Sequence, residues 1–505
     1  MKVRFVTLGC KLNFAESSAL GKELLLRGHQ RASLNEVPDV CVVNTCSVTD
    51  AADHKDRQTI NQLHRKYPNA IIIVTGCYAQ LQPQQIAKIE GVDYVLGQNE
   101  KYEIPKLVAT LESDAAKAAI GRAEPYGILD ATLLDKEEMR REGERVRVGA
   151  IREVEEFHGV HSADDRTRCF IKVQDGCNYF CTYCTIPYAR GKSRNPKISE
   201  VVEDAKKALE QGAKELIITG VNIGDFGRST GERFIELLRA LDRLETEKTT
   251  QSDLINDNID NIALESTPSS ATQENENDLG ERREGENGKV KGENGKVKGE
   301  NGKVKGDEAR EYRVRISSCE PNLLTDEIID FVAQSKHFAP HFHIPLQSGS
   351  NEVLKIMGRR YTRELFADRV KHIKEMMPHA FIGVDCMVGV RGETQEYWED
   401  YLAFIKGLDV SQLHVFTYSE RANTRMLEMD LCVVPQSERK RRSKILHALS
   451  EEKTKAFYAK HADRKTVVLW ESKKEGDKMA GFTDNYIKVH APYDKAKVNT
   501  FEVIR

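Results

Sequence analysis

The sequence predicts an α/β protein that ends in a small all-β domain. Short apolar runs rich in β-branched residues alternate with helical patterns over most of the 505 residues, which is typical of parallel sheets covered by helices. The final segment, residues 464–505, alternates apolar and polar residues with no helical pattern between the runs. Hydrophobic residues make up 39% of the chain, which is enough for at least one large core.

Residues 1–145 are predicted to form an N-terminal parallel α/β domain. Helical patterns at about residues 16–27 and 84–88 follow two of its three apolar runs. Parallel strands need such crossovers, so the alternation favours a mostly parallel sheet. The predicted strands of this domain are Val3–Leu8, Val40–Thr45 and Ile71–Thr75.

Residues 146–434 are predicted to form a second, larger α/β unit. Strand and helix patterns alternate again from Arg168 onwards, which is consistent with an open or closed barrel of parallel strands. The mouth of such a barrel, at the carboxyl ends of its strands, is where chemistry is expected. The six predicted strands are Cys169–Val173, Glu215–Thr219, Arg313–Ser317, His341–Pro345, Phe381–Met387 and Gln412–Thr417.

Residues 245–310 interrupt this second unit with a different composition. Asn, Glu, Ser, Thr and Gly dominate, and the heptapeptide Gly-Glu-Asn-Gly-Lys-Val-Lys occurs three times in succession over residues 285–305. One apolar residue in seven cannot form a coiled-coil seam, which needs two. The segment is therefore predicted to be a disordered surface insertion; a solenoid is a remote alternative.

The C-terminal part of the chain is basic. Residues 435–505 hold 17 Lys or Arg against 10 Asp or Glu, whereas the whole chain carries a net charge of −3. Residues 435–463 are predicted to form a basic helix, Gln436–His461, with Arg439, Lys440, Arg441, Arg442 and Lys444 at its start. A solvated helix face and a nucleic-acid-binding surface are both compatible with this pattern. Strands are predicted at Thr466–Trp470, Tyr486–His490 and Thr500–Ile504 of the all-β domain 464–505.

Composition excludes several classes of protein. The near balance of 76 basic and 79 acidic residues excludes a polybasic nucleic-acid coat protein and a wholly acidic disordered chain. No apolar run approaches the ~20 residues of a membrane span, and the N-terminus lacks the apolar region of a signal peptide. We therefore expect a soluble cytoplasmic protein. Eleven cysteines, an odd number, indicate metal or redox chemistry in place of a disulfide framework.

Three cysteines form a compact motif directly after a predicted strand. Cys177, Cys181 and Cys184 lie within eight residues, preceded by Gly176. Thiolates select zinc or iron–sulfur clusters, and structural zinc usually takes four protein ligands. No fourth cysteine or histidine lies nearby, so three ligands predict a cluster with one iron open to a small chelating molecule.

Three other cysteines share a context although they are far apart in sequence. Cys10, Cys46 and Cys77 each follow a predicted strand of the N-terminal domain. Carboxyl ends of parallel strands lie along one edge of a sheet, so the three thiols can converge on one point. Gly9 and Gly76 leave room for a bulky group there. Cys41 opens a strand and is interpreted as a small core residue.

The Cys-x-x-x-Cys-x-aromatic-Cys spacing resembles the radical S-adenosylmethionine (SAM) superfamily. The resemblance implies a partial (β/α) barrel and a 4Fe-4S cluster that chelates SAM and cleaves it to a 5′-deoxyadenosyl radical. It also implies SAM contacts near the ends of the barrel strands. The implied SAM-binding residues are Tyr183, Gly220, Asn222, Ser317, Ser318 and Asp385, the last within the glycine-flanked strand 383–389.

Together the two cysteine groups resemble the methylthiotransferase family, whose members carry a second 4Fe-4S cluster on the N-terminal trio. Family members combine the radical SAM core with a C-terminal TRAM-like RNA-binding domain, which here is expected to be incomplete after Arg505. The resemblance implies two SAM molecules per reaction, one as methyl donor and one as radical source. It implies an electron donor such as a flavodoxin or ferredoxin, which the sequence does not identify.

The run Thr7-Leu-Gly-Cys-Lys-Leu-Asn13 resembles the branch that acts on N6-threonylcarbamoyladenosine at position 37 of tRNA, in the anticodon stem-loop. Val43–Thr49 and Cys184–Gly191 fit the same branch, whereas Arg421-Ala-Asn-Thr424 departs from the usual Arg-Pro-Gly-Thr. Alternatives are methylthiolation of isopentenyladenosine in tRNA or of a ribosomal protein. A non-catalytic Fe-S RNA-binding protein or electron carrier is a further alternative, disfavoured by the open iron.

Overall fold

The computed structural model describes residues 1–33, 35–121, 145–162, 167–244 and 312–505. The predicted disordered insertion, residues 245–310, lies outside these ranges and stays a prediction. The boundaries assigned to the domains from sequence also stay predictions.

The N-terminal part contains a six-stranded parallel sheet with the strand order β2-β1-β3-β4-β5-β6. The strands are β1 Lys2–Thr7, β2 Gln30–Arg31, β3 Val40–Thr45, β4 Ile71–Gly76, β5 Val92–Leu96 and β6 Val146–Arg147. Every residue of the central strands β3 and β4 is buried, as expected where helices cover both faces of a parallel sheet. The three predicted strands are confirmed within one residue, and β2, β5 and β6 are additional.

Helices connect these strands and begin at the carboxyl edge of the sheet. They are α1 Lys11–Leu26, α2 Asp50–Lys66, α3 Cys77–Leu81, α4 Pro83–Ala87 and α5 Ile104–Gly121. Helix α1 starts immediately after Cys10, five residues before the predicted start. Helix α2 was not predicted, because its apolar positions are sparse. Thr49 caps it by accepting a hydrogen bond from the Ala52 amide, and Asp50 and Asp53 lie in its positively polarised first turn.

The second unit is a partial barrel of six parallel strands. Its strands are β7 Arg168–Lys172, β8 Glu215–Thr219, β9 Arg313–Ile316, β10 His341–Gln347, β11 Phe381–Val388 and β12 Gln412–Thr417. They form two ladders, β7-β8-β9 and β10-β11-β12, which are joined by parallel bridges from Val314 to Phe338 and from Ser318 to His343. All six predicted strands and the partial-barrel class are confirmed.

Helices pack around the barrel and complete its core. They are α6 Ile186–Arg190, α7 Ile198–Glu210, α8 Phe234–Leu241, α9 Asp326–Gln334, α10 Asn351–Ile356, α11 Arg363–Met376 and α12 Gln395–Gly407. Strand residues such as Ile218 and Val384 and the helix residue Trp398 are almost fully buried in one continuous apolar cluster. Short 3-10 turns occur at Glu100–Glu103, Ile151–Glu153, Ile223–Asp225, Arg425–Leu427 and Lys495–Lys497.

The C-terminal part is a long helix followed by a four-stranded antiparallel sheet, which confirms the predicted small all-β domain. The helix is α13 Gln436–Lys460, and the strands are β13 Thr466–Glu475, β14 Lys478–Thr483, β15 Lys488–Pro492 and β16 Phe501–Ile504, in the order β15-β14-β13-β16. Strand β14 was not predicted. The sheet contacts the barrel through Arg168 and Glu471, which form an ion pair at 2.7 Å.

The basic cluster at the start of α13 is less exposed than its sequence indicates. Arg439 is buried, and its Nη1 donates to the Tyr418 carbonyl at 3.1 Å. Arg442 is also buried and pairs with Glu393 at 2.5 Å. These two arginines therefore hold the helix on the barrel and do not face solvent. Lys440 and Lys444 remain exposed.

Among the described helices, none is both long enough and apolar enough to cross a bilayer.

Candidate functional site

Three cysteines from one loop line a cavity at the mouth of the barrel. Cys177, Cys181 and Cys184 follow β7 and face a space of about 250 Å³. Gly176, at φ +68°, lets this loop pass the Lys192 carbonyl oxygen, which would lie 2.0 Å from an added Cβ. Burial raises the pKa of Cys177 to about 11 and raises the pKa of Cys181 and of Cys184. A bound metal cluster would have to displace these protons.

The residues predicted to bind SAM are distributed around the same cavity. Tyr183, Asn222, Ser318 and Asp385 line it. Gly220 and Ser317 are not among its lining residues. Gly220 instead packs against Gln174, whose carbonyl oxygen would lie 2.8 Å from an added Cβ.

Several buried polar atoms of this site lack a partner within the described ranges. Both amide atoms of Asn222, the Ser317 hydroxyl and Gln347 Oε1 make no hydrogen bond. Buried polar groups are normally satisfied, so orphaned atoms beside a cavity indicate a polar ligand. Asp385 differs, because it accepts a hydrogen bond from His343 Nε2 at 2.7 Å, and this partner helps to hold the pKa of Asp385 below its usual value.

Sequence reasoning did not single out an ion pair on the cavity wall. Arg359 pairs with Glu320, and both residues line the cavity. Arg359 Nη1 also lies 3.3 Å from Cys181 Sγ and 3.4 Å from the Tyr183 hydroxyl. The guanidinium therefore connects a cysteine of the motif with its aromatic neighbour. The sequence feature that could have pointed to Arg359 is the arginine-rich run Arg359-Arg-Tyr-Thr-Arg363. No spacing rule, however, connects this run with Cys181.

The other three predicted cysteines converge at the carboxyl edge of the N-terminal sheet. Cys10, Cys46 and Cys77 follow β1, β3 and β4, which are neighbours in the sheet. Burial raises the pKa of Cys46 well above its usual value, and the proximity of Cys77 and Cys10 raises it further. Cys41 is fully buried in β3. The structure thus brings the predicted trio together and leaves Cys41 in the core.

The described residues contain no group of three His, Cys, Asp or Glu side chains drawn together tightly enough to chelate one metal ion. Each cysteine trio still supplies a thiolate-only ligand set, which suits iron–sulfur clusters. Cluster ligation by either trio stays a prediction from this residue set.

The loop after Cys46 connects the two cysteine groups. Its residues Val48 and Thr49 line the barrel cavity together with the motif cysteines. Arg421, beyond β12, holds this loop by donating to Ser47 Oγ at 2.6 Å and to Asp53 Oδ2 at 2.7 Å. In the Arg421–Thr424 run, Asn423 stands where the usual Arg-Pro-Gly-Thr has glycine. Asn423 adopts the left-handed conformation, at φ +65°, that glycine would otherwise supply.

Replacing Gly9 by alanine is expected to damage the N-terminal trio. An added Cβ would lie 2.5 Å from Cys46 Cβ, and Gly9 has φ +95°. We expect a loss of about 1–3 kcal/mol in folding stability from overpacking, and less iron retained after anaerobic reconstitution. Gly212→Ala is the matched control, because Gly212 has φ +93° but nothing within 4 Å. Equal stability and iron content in the two variants would contradict the prediction.

Comparisons with known proteins cover nearly the whole chain. The profile of an uncharacterised protein family, UPF0004, matches residues 2–97, and that of the radical SAM superfamily matches residues 171–281 and 291–405. The threonylcarbamoyladenosine tRNA methylthiotransferase MtaB of Bacillus subtilis (strain 168) is 32% identical over 96% of this chain and 89% of its own. The protein of the same name from Aquifex aeolicus (strain VF5) is 31% identical over 97% of this chain and 96% of its own.

Some of the more distant matches have other names. The tRNA-2-methylthio-N(6)-dimethylallyladenosine synthase of Pelotomaculum thermopropionicum is 27% identical over 85% of this chain and 77% of its own. Among solved structures, the radical SAM methyltransferase TsrM of Kitasatospora setae aligns at 13% identity with a TM-score of 0.46, covering 83% of this chain and 75% of that chain. That score is too low to support an argument about fold or activity.

Proposed function

The chain belongs to the radical SAM tRNA methylthiotransferases, and from this we propose that it converts N6-threonylcarbamoyladenosine at position 37 of tRNA to its 2-methylthio form with two 4Fe-4S clusters. The observation that carries the proposal is a cysteine trio on the wall of one cavity, together with a loop that leads from that wall to a cysteine of the second trio. Cys177, Cys181 and Cys184 line the cavity, and the loop that follows Cys46 forms another part of its wall.

The substrate is supported by overall sequence identity and by one local motif. The relatives named for threonylcarbamoyladenosine reach 32% and 31% identity, whereas the relative named for dimethylallyladenosine reaches 27%. The run Thr7–Asn13, with Lys11 directly after Cys10, resembles the threonylcarbamoyl branch. Neither argument favours a ribosomal protein as the substrate.

The chemistry explains why a radical site is needed. C2 of adenine carries neither an acidic hydrogen nor a leaving group, so polar catalysis has no starting point there. Bound SAM and its cluster would supply a 5′-deoxyadenosyl radical. The residues of this chain would hold the cluster through Cys177, Cys181 and Cys184, and would place SAM against Asn222 and Asp385.

The cavity wall also contains apolar side chains. Pro345, Met387 and Phe416 line it together with the polar groups. Excluding water protects reactive intermediates from side reactions. Cys10 is the exposed member of the N-terminal trio.

The C-terminal part offers cations for an RNA backbone. Lys473, Lys474 and Lys478 are exposed on the β13–β14 hairpin, and Lys440 and Lys444 are exposed on α13. Lysines neutralise phosphates and release counterions, which gives salt-dependent affinity for RNA. We propose that these surfaces hold the anticodon stem-loop, while the target base, unstacked, enters the barrel mouth. A tRNA substrate accords with the predicted cytoplasmic localisation. The predicted flavodoxin or ferredoxin donor stays a prediction.

The deciding experiment is nucleoside mass analysis after reaction of the full-length, anaerobically reconstituted protein with SAM and a reductant. Three tRNA substrates should be compared, carrying threonylcarbamoyladenosine, isopentenyladenosine or unmodified adenosine at position 37. We expect the 2-methylthio product with the first tRNA alone. Product from the isopentenyl substrate alone would overturn the substrate assignment. The absence of both 5′-deoxyadenosine and methylthio product, in protein that holds its iron, would overturn the reaction as well.

A further inference from the structure

A buried group of charged side chains lies behind the N-terminal cysteine trio. This group, the charge network, contains the carboxylates Glu16 and Asp175 and the cations Lys101, Lys172, Arg190 and Arg194. Arg190 donates to Glu16 at 3.0 Å and to Asp175 at 3.1 Å. Lys101 pairs with Glu16 at 2.5 Å, and Lys172 pairs with Asp175 at 2.8 Å.

Cations outnumber carboxylates in this network by four to two. The cationic neighbours hold the pKa of Glu16 and of Asp175 below their usual values, so both carboxylates are ionised at neutral pH. Burial lowers the pKa of Lys101 to about 8, so Lys101 is still mostly protonated at pH 7. Excess buried charge is costly unless an opposite charge compensates it. Among the residues that the structure describes, the network therefore carries more positive than negative charge.

Two hydrogen-bonded chains lead from this excess charge to the cysteines. In the first, Asn13 Oδ1 accepts from Arg190 Nη2 at 2.6 Å and lies 3.9 Å from Cys10 Sγ, from which it accepts a weak hydrogen bond only while Cys10 is a neutral thiol. With Cys10 as a thiolate, this side chain only sets the spacing between the cation and the sulfur. In the second, Gln98 Oε1 accepts from Lys101 Nζ at 2.7 Å, while Gln98 Nε2 donates to Cys77 Sγ at 3.4 Å. Each chain places one uncharged side chain between a buried cation and a cysteine.

The cysteines also interact with these cations directly through space. Cys77 and Cys10 both interact electrostatically with Arg190. The thiols of the trio are thus ionisable groups next to the network that could supply negative charge.

We infer that Arg190 and Lys101 are positioning residues for the auxiliary cluster on Cys10, Cys46 and Cys77, and that their positive charge stabilises the anionic cluster and raises its reduction potential. This inference rests on the proposed function, because it takes the N-terminal trio to ligate a 4Fe-4S cluster. Three thiolates around a core of charge +2 leave a net charge of −1, and reduction adds one further negative charge. A fixed neighbouring cation therefore favours the reduced form.

Arg190 and its partners Glu16 and Asn13 come from two different parts of the protein. Arg190 ends α6, which starts two residues after Cys184, whereas Glu16 and Asn13 belong to α1. The cation for the N-terminal trio is therefore supplied by the helix that directly follows the loop with the other three cysteines. This arrangement makes the environment of the auxiliary cluster depend on the docking of the barrel against the N-terminal sheet.

The test uses the full-length protein with Cys177, Cys181 and Cys184 all replaced by alanine, so that only an auxiliary cluster can form. In this background, midpoint potentials are measured by anaerobic redox titration with electron paramagnetic resonance for Arg190→Met, Arg190→Lys and Lys101→Met. We expect Arg190→Met to make reduction about tenfold less favourable, equal to about 59 mV for a one-electron couple. Lys101→Met should shift the potential in the same direction, and Arg190→Lys should stay near the parent protein.

Arg442→Met is the matched control, because Arg442 is also a buried guanidinium paired with a buried carboxylate, Glu393, but belongs to α13. Its potential should equal that of the parent. If Arg190→Met does not retain iron, the midpoint potential of Lys101→Met alone tests the inference. Unchanged potentials in every variant that retains iron would overturn the inference, as would equal loss of iron in Arg190→Lys and Arg190→Met. Failure of the parent background to bind about four irons would instead overturn the two-cluster part of the proposed function.

Discussion

Replacing Cys77 by alanine is expected to abolish methylthio transfer while SAM is still cleaved to 5′-deoxyadenosine. Cys77 belongs to the N-terminal trio, whereas the three cysteines that line the cavity remain intact in this variant. The radical-forming site would therefore keep all its ligands, but the auxiliary cluster would lose one. Changes in outer-shell partners alone cost about 10–100-fold in metal affinity or activity, so loss of a ligand should reduce product by more than about 100-fold.

The measurement is paired quantification of 5′-deoxyadenosine and 2-methylthio nucleoside by mass spectrometry, together with iron per chain. Cys41→Ala is the control, because Cys41 is a fully buried cysteine of the same sheet that stands outside the trio. It should retain both products and its full iron content. Normal methylthio transfer by Cys77→Ala would show that the trio is not a cluster site.

Replacing Glu215 by alanine is expected to cause the largest loss of stability. Glu215 lies between Arg313 and Arg315, and all three side chains are about 1% exposed. Arg315 Nε donates to Glu215 Oε1 at 3.1 Å, and Arg315 Nη1 donates onwards to the Asp484 carbonyl at 3.3 Å. Removal of the carboxylate leaves two buried guanidinium groups uncompensated, which costs about 3–5 kcal/mol.

Differential scanning calorimetry of the full chain would measure this loss. The control is Glu327→Ala, since Glu327 also bridges two arginines, Arg233 at 2.8 Å and Arg239 at 3.0 Å, but on the surface. Exposed ion pairs contribute about 0–1 kcal/mol, so Glu327→Ala should unfold almost as the parent does. Similar losses of unfolding stability in both variants would contradict the conclusion that burial is what makes the loss of Glu215 costly.

The pH dependence of the Glu215 effect has a defined sign. The two arginines hold the pKa of Glu215 well below its usual value in the folded protein, whereas the unfolded chain titrates near the model-peptide value of about 4.3. The stabilising contribution is therefore complete above that pH and is lost progressively as the pH falls below it. The stability difference between the parent and Glu215→Ala should accordingly shrink below about pH 4.

Most strands could be predicted because a strand is a local pattern. All six barrel strands and three N-terminal strands contain short runs of apolar residues, and their alternation with helices is enough to indicate parallel sheets. Helix α2 was missed because its apolar side chains are few, and strand β14 because it is short and Gly481 interrupts its apolar residues. Both elements are stabilised by contacts with distant residues, which a local pattern does not contain.

The basic helix α13 shows that sequence alone does not reveal which charged side chains are exposed to solvent. Arg439 and Arg442 look like solvated cations in the run Arg439-Lys-Arg-Arg442, yet both are buried. Their carbonyl and carboxylate partners come from Tyr418 and Glu393. The exposure of a charged side chain depends on whether a distant group compensates its burial, and that group is chosen by the tertiary fold.

The residue types and spacing of the sequence alone predicted the chemistry of this protein: thiolates suited to iron–sulfur clusters and a compact Cys177–Cys184 loop, whose predicted ligands need only a short turn to converge. Only the tertiary structure decided which side chains surround those thiolates. Cys10, Cys46 and Cys77 meet because β1, β3 and β4 are neighbours in the sheet, and Arg190 meets Glu16 although 174 residues separate them. Such long-range contacts depend on strand order and on how the sheet docks against the barrel, neither of which is encoded in any local run of residues.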